Sequence, residues 1–587
     1  MSRWGAARRT PSSLVALLLA ASGTAFVGCS GDSPDRPEST VSPDASISSA
    51  PLDEAPTTPR SPESTAAAPW RLTEHPLLDG QVVYSSGREA KLSTILESLG
   101  GGVGAIDFDR DGRVDLFLPG GGKLSPGSVT GLAGRLLRAT GAFEFVDATR
   151  SARCDTIGFY SHGCAATDWD NDGFVDLLVT GYGGLQLFRN QGDGSFESLE
   201  VSALGLVDRS WSTSAAWGDL NGDGVPDPYV PHYVDWSFDN DPICQGERDR
   251  TLREICSPRR FAGLRDACFL GNGDGTFRDV TETWRLPAEG KGLGAVVLDV
   301  DRDGRQDVYV GNDTTANFLL LGSENGLVEQ GELSGTAFDD RGIPNGSMGV
   351  AAADFDRNGL FDLWVANYQS ETFALYRQDQ AGLFRYASPS YGLRTLVPEF
   401  VAFGTVIVDI DRDGEEDILV SNGHVLDHPA GAERDQVTLA LARRGQRFER
   451  LTWPAGHPLD RPRSGRGLAL GDLDEDGDAD FVFSPSDQPA WALSNDESSG
   501  MTFVVEPIGV RSARIPLGAE LQVETDRATR STVMAGGGSY LSTSQPVFFV
   551  VVPAGETLRS LELRWPTGAT QSLPLPTGER RVVAIEQ

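Results

Sequence analysis

A chain of 587 residues is too long for one ordinary core and long enough for two or more domains, or for a repeat array with an accessory domain. Lysine plus arginine total 50 against 84 aspartate plus glutamate, a formal charge of -34 that excludes nucleic acid and an anionic membrane surface as the main partner. Aromatics at 8 % and 69 glycines among short apolar runs describe packed β-structure rather than a solvated polyanion, so clustered carboxylates would take metal as their counter-charge.

The first 29 residues carry Arg3, Arg8 and Arg9, then an apolar stretch from Leu14 to Val27 that is too short to span a bilayer and reads as an export signal. It ends in Phe26-Val27-Gly28-Cys29, which resembles the bacterial lipobox, with Phe26 where leucine is usual. The resemblance implies that Cys29 is lipidated and becomes the mature N-terminus. An ordinary cleavage site with a free cysteine and twin-arginine export through Arg8-Arg9 are the alternatives, and each also carries the chain out of the cytoplasm. Residues 30–69 are Ser, Pro, Thr, Ala and Asp with almost no large apolar side chain, a composition that cannot repay ordering entropy and predicts a disordered tether.

From there the pattern D-x-[DN]-x-[DN]-G-x-x-D recurs seven times. Positions 1, 3, 5 and 9 are Asp107, Asp109, Asp111 and Asp115; Asp168, Asp170, Asp172 and Asp176; Asp219, Asn221, Asp223 and Asp227; Asp299, Asp301, Asp303 and Asp307. The last three copies place Asp354, Asp356, Asn358 and Asp362; Asp409, Asp411, Asp413 and Asp417; Asp472, Asp474, Asp476 and Asp480. A glycine stands five residues ahead in six copies, with Ser214 in the third, and an apolar β-prone run follows each, such as Leu363-Trp364-Val365. The unit is strand, acidic loop, strand. Glycine and alanine make a poor strand by propensity, so the segments before the loops need small side chains for another reason, and convergence on a central axis supplies it. Successive motifs are 61, 51, 80, 55, 55 and 63 residues apart, room for one four-stranded blade each. The expectation is an all-β, seven-bladed β-propeller over residues 70–500.

These segments resemble the FG-GAP or VCBS repeats of integrin-type propellers. The strings Val310-Gly311-Asn312-Asp313-Thr314-Thr315-Ala316-Asn317-Phe318-Leu319, Ser421-Asn422-Gly423-His424-Val425 and Cys256-Ser257-Pro258-Arg259-Arg260-Phe261 resemble the cartilage acidic protein family and its bacterial relatives. Residues 505–587 contain Gly536-Gly537-Gly538-Ser539-Tyr540-Leu541-Ser542 and Leu561-Glu562-Leu563-Arg564-Trp565-Pro566-Thr567-Gly568, similar to the ASPIC/UnbV domain that closes that family. Read without the family, the tail alternates apolar and polar residues between Gly and Pro turns, which predicts a small β-sandwich-like module.

Carboxylates at positions 1, 3, 5 and 9, with glycine at 6, can surround one hard cation with oxygen. An EF-hand needs a glutamate at 12 and flanking helices, whereas here a strand follows position 9, so these are β-hairpin Ca²⁺ sites with a structural role. Asp and Asn also make good turns on their own. Twenty-six carboxylates in seven loops would repel one another without a cation.

After Cys29 come Cys154, Cys164, Cys244, Cys256 and Cys268. Cys244 and Cys256 flank the insertion behind the 80-residue interval and form the favoured disulfide, with Cys154–Cys164 a weaker second. The six histidines sit in no zinc or nucleophile motif, so the chain reads as a non-enzyme. The expected role is a cell-surface binding, adhesion or scaffolding protein, at the outer membrane in a Gram-negative host. Its partner would be an extracellular protein or glycan, its membrane contact the N-terminal lipid alone, with no nucleic acid. A secreted, polysaccharide lyase-like enzyme is the alternative. The insertion from Tyr233 to Asp266 is either a ligand-recognition loop or a stapled cover.

Overall fold

The computed structural model describes residues 70–155 and 158–587. The export signal, the tether and Cys29 lie outside the described residues.

Each acidic motif joins the first two strands of an antiparallel sheet, four-stranded in every case but the fourth, which has a fifth strand. In the first sheet Gly104–Ile106, Asp115–Leu118, Arg135–Gly141 and Glu144–Asp147 pair in that order. The pattern repeats through the sheets that begin at Tyr160–Thr167, Ala216–Gly218, Gly292–Leu298, Val350–Ala353 and Ala402–Val408. In the last sheet Gly467–Gly471, Asp480–Ser484 and Trp491–Asn495 take their fourth strand from Leu72–Pro76 at the other end of the chain. The innermost strand of each sheet lies beside that of the next, and Gly467–Gly471 lies beside Gly104–Ile106. Individually open sheets thus form a propeller-like array that returns on itself, with apolar side chains of neighbouring sheets making shared cores.

The small residues of the inner strands have a steric cause. A Cβ on Gly349 would come within 2.0 Å of the Phe403 carbonyl on the neighbouring sheet, and one on Gly102 within 2.0 Å of the Leu541 carbonyl. Leu541 belongs to the C-terminal module.

That module packs a three-stranded sheet (Phe548–Val552, Met501–Ile508, Arg581–Ile585) on a four-stranded one (Thr529–Val533, Glu520–Thr525, Leu558–Arg564, Thr570–Ser572) around Phe503, Leu521, Phe548, Leu563 and Trp565. Between its strands residues 536–545 run into the centre of the propeller-like array as a plug. Gly536–Gly537 pairs with Gly292–Leu298, Ser539 exchanges backbone hydrogen bonds with Val350, and Cys164 N–H donates to Leu541 O at 3.2 Å. Thr543 and Gln545 continue the contact with Val103, Ala105 and Leu470. The plug answers backbone groups that a central channel would otherwise leave to water.

Cys244 and Cys256 form a disulfide across the insertion. Cys154 and Cys164 do not pair: both are buried free thiols, as is Cys268. Cys154 and Cys164 sit in one apolar cluster, where each packs as a small hydrophobe. Burial pushes all three thiols up, away from the reactive thiolate. Native protein is therefore expected to leave these three unlabelled by iodoacetamide and to take up label at each after unfolding. Peptide mapping checks this, and rapid native labelling of Cys154 would contradict its burial.

Candidate metal centres

The local sequence closes each acidic loop without help from elsewhere. Glycine at position 6 takes φ between +82° and +98° in all seven copies, a conformation that a Cβ would strain. Its N–H donates to the position-1 carboxylate at 2.8 to 3.3 Å.

The position-9 aspartate is a staple. Asp115, Asp176, Asp227, Asp307, Asp362, Asp417 and Asp480 are each at most 1 % exposed. One oxygen of each accepts the N–H of loop position 2 and the other accepts an N–H of the third strand, all at 2.7 to 3.3 Å. One carboxylate so fixes three strands of its sheet.

Five loops bring three carboxylate oxygens within 4.8 Å of one another: Asp107, Asp109 and Asp115; Asp168, Asp170 and Asp176; Asp299, Asp301 and Asp303; Asp409, Asp411 and Asp417; Asp472, Asp474 and Asp480. Position 5 is left out of four of these, and Asp111 instead meets Arg113 at 2.9 Å. In the fourth loop Asp307 is left out and Asp303 drawn in. In the third and fifth loops, where Asn221 and Asn358 replace a carboxylate, no such triad forms among the described residues. There the amides act as donors, Asn221 to Asp223 at 2.9 Å and Asn358 to the Gln378 carbonyl at 2.9 Å.

The electrostatics favour a cation. Burial above all, with neighbouring carboxylates adding to it, lifts Asp107 and Asp168 to about 6, Asp115 to about 8 and Asp176 to about 9. The Oδ1 atoms of Asp107, Asp168, Asp299 and Asp411 are buried and accept no hydrogen bond. A buried, unpartnered carboxylate oxygen is costly, and a hard cation with oxygen ligands is the group that fits this donor set. Arginines give partial compensation from outside, as Arg444 does for Asp411 at 2.7 Å and Asp413 at 3.0 Å.

Two features escape a motif search. Position 4 also lies at positive φ, and four of its occupants are arginines: Arg110, Arg302, Arg357 and Arg412. They reach the next loop in the ring: Arg357 donates to Gly414 O at 2.7 Å, Arg302 to Gly359 O, Arg412 pairs with Asp478, and Arg110 lies 5.3 Å from the Phe174 ring centroid. The C-terminal module docks on the same face, with Arg581 donating to Gly112 O at 3.1 Å and Arg530 to Gly414 O at 2.9 Å. Arginine recurring at position 4, one of the positions that the motif leaves open, was the available signal.

The insertion does not present its aromatic residues. Trp236 and Phe261 are buried in a cluster with Trp211 and Tyr233, so this part is a cover, while Arg259 and Arg260 stay exposed. His162 is fully buried, accepts from Trp211 Nε1 at 2.7 Å and is pushed by burial to about 3, which makes it a neutral core residue.

A profile described as FG-GAP-like repeat matches residues 168–230, 263–310, 299–365 and 354–420, and one described as ASPIC and UnbV matches residues 509–587. Cartilage acidic protein 1 of Mus musculus is 23 % identical over 487 residues, covering 72 % of this chain and 73 % of that protein. Its Homo sapiens counterpart is 23 % identical over 488 residues, covering 72 % and 71 %. An Agrocybe aegerita lectin solved for its recognition of non-reducing terminal N-acetylglucosamine aligns at 15 % identity over 62 % of this chain and 89 % of its own, with a TM-score of 0.36, too slight a likeness to bear on function.

Proposed function

The chain is an FG-GAP-like repeat protein that ends in an ASPIC and UnbV domain, and from that premise we propose that it acts outside the cell as a non-enzymatic binding protein of the adhesion or scaffolding type, built on Ca²⁺-loaded loops. The observation that carries the calcium reading is the set of five carboxylate triads, four of which hold a buried, unpartnered oxygen. In each triad the three aspartates would hold the ion, and its positive charge would offset their repulsion and lock the hairpin. No reaction is assigned to it.

The partner is an extracellular protein or a glycan, met on the insertion face, where Arg259 and Arg260 point to an acidic or polar ligand. A glycan array read both for binding and for product formation tests this. Binding with unchanged glycans supports the proposal, and cleaved products would replace it with a lyase-type enzyme.

The anchor is proposed on Cys29 and its preceding signal. Wild-type protein made in a bacterial host is expected to enter the detergent phase on phase separation, while Cys29→Ala stays aqueous. Equal, fully aqueous partitioning of the two would remove the lipid from the account.

A further inference from the structure

Arg466 stands just before the inner strand Gly467–Gly471, beside the tip of the plug, and its exposure is 0 %. Its hydrogen bonds go only to carbonyls: Nε donates to Ser98 O at 3.0 Å, and Nη1 to Gly465 O at 2.7 Å and Gly423 O at 3.2 Å. Nη2 is buried and has no partner. The guanidinium lies 4.0 Å from the centroid of the Phe403 ring. Tyr540, the aromatic residue of the plug, packs on the same ring with centroids 4.8 Å apart, is also 0 % exposed, and has a buried hydroxyl that donates to no partner.

Two fully buried donors, one from the edge of an inner strand and one from the plug, thus lack acceptors around the one Phe403 ring. Water could satisfy their hydrogen bonds but not the charge. Burial lowers the Arg466 guanidinium to about 9, so it is still a cation at neutral pH, and Tyr540 is held as a neutral donor by burial. Carbonyl oxygens carry only partial charge, and an uncompensated buried ion is strongly disfavoured. No carboxylate pairs with Arg466 among the described residues, since Asp427 and Asp487 pair with Arg88 and Arg434, whose like charge adds to its own.

We propose that a single monovalent anion of chloride size is enclosed at Arg466 Nη2, with the Tyr540 hydroxyl as its second donor, and that it ties the plug to the propeller-like array. The size follows from enclosure, since both donors are sealed from solvent and a larger organic anion would have to displace the plug. The site lies at the plug tip and Arg466, not in the acidic loops, so it is independent of the calcium proposal.

The test uses the full chain with saturating Ca²⁺. Bromide-soaked crystals are expected to show an anomalous peak within hydrogen-bonding distance of Arg466 Nη2, and ordinary water there with no anomalous signal would overturn the site. In solution, sodium chloride should raise the melting temperature in a saturable way relative to sodium gluconate of equal ionic strength. Tyr540→Phe, which keeps the ring, should raise the half-saturating chloride concentration several-fold, and Arg466→Met should abolish the response. If Arg466→Met does not fold, Tyr540→Phe and the bromide peak decide. Identical chloride responses in wild type and Tyr540→Phe would overturn the role of the second donor, and no chloride response in wild type would overturn the anion.

Discussion

Chelation is expected to lower the melting temperature by about 10 °C or more. A ligand that binds only the folded state at about 100 times its dissociation constant contributes about 2.7 kcal/mol per site. Five triads at that level, set against an unfolding entropy of roughly 1 kcal/mol per degree for a folded part of about 500 residues, give a shift of that order. Without the ion the burial and mutual repulsion that raise the loop carboxyls return as a cost of folding. Adding Ca²⁺ back should restore the transition. Magnesium should restore it poorly, because it demands a small octahedral shell and gives up water reluctantly. Differential scanning calorimetry with and without EDTA reads the effect, and a transition indifferent to the chelator would mean that hydrogen bonds alone hold the loops.

The second large effect separates the staple from the metal. Asp307 is 0 % exposed, lies outside its loop's triad, and accepts from Val300 N–H at 2.8 Å and Gly322 N–H at 2.7 Å. Asp307→Ala strands two buried N–H donors at once and is expected to cost about 3–5 kcal/mol with calcium present or absent. Asp307→Asn keeps one acceptor and should fall between. Asp301→Asn, in the triad, is expected to remove one ion and to lower stability only when calcium is present. Chemical denaturation of the three variants at high and zero calcium checks this. If Asp301→Asn destabilised equally in both conditions, the triad would be a turn and nothing more.

The parts of this fold that were legible in the sequence are those whose cause is local. Glycine at position 6 announces its positive φ, and the spacing from position 1 to position 9 fits the turn between two strands. The Cys244–Cys256 disulfide was legible because both cysteines bound the one interval that is too long. The chain's return on itself through Leu72–Pro76 and Trp491–Asn495 depends on partners more than 400 residues apart, which no spacing rule reaches. The plug was visible only as a glycine-rich string. Gly536 has its reason in the Trp217 carbonyl, 1.8 Å from where a Cβ would be, on a strand that the sequence does not connect to it. Cys154 and Cys164 misled for the opposite reason: ten residues apart and in one exported chain they invite pairing, yet the strand that carries Cys164 turns its thiol into a dry core beside the other.

At the candidate sites the sequence named every carboxylate but not its task. Position 5 turns outward in four of the five triads, where it meets arginine or solvent, and position 9 spends both oxygens on backbone N–H groups. The roles follow from how the third strand of each sheet passes the loop, which lies beyond the nine-residue motif.

Isothermal titration calorimetry of the full chain, stripped of metal and titrated with Ca²⁺, tests the central claim most directly. About five ions per chain are expected, one for each carboxylate triad, with Asp301→Asn binding about one fewer. Less than one bound ion per chain would contradict the account and leave the seven acidic loops as hydrogen-bonded turns.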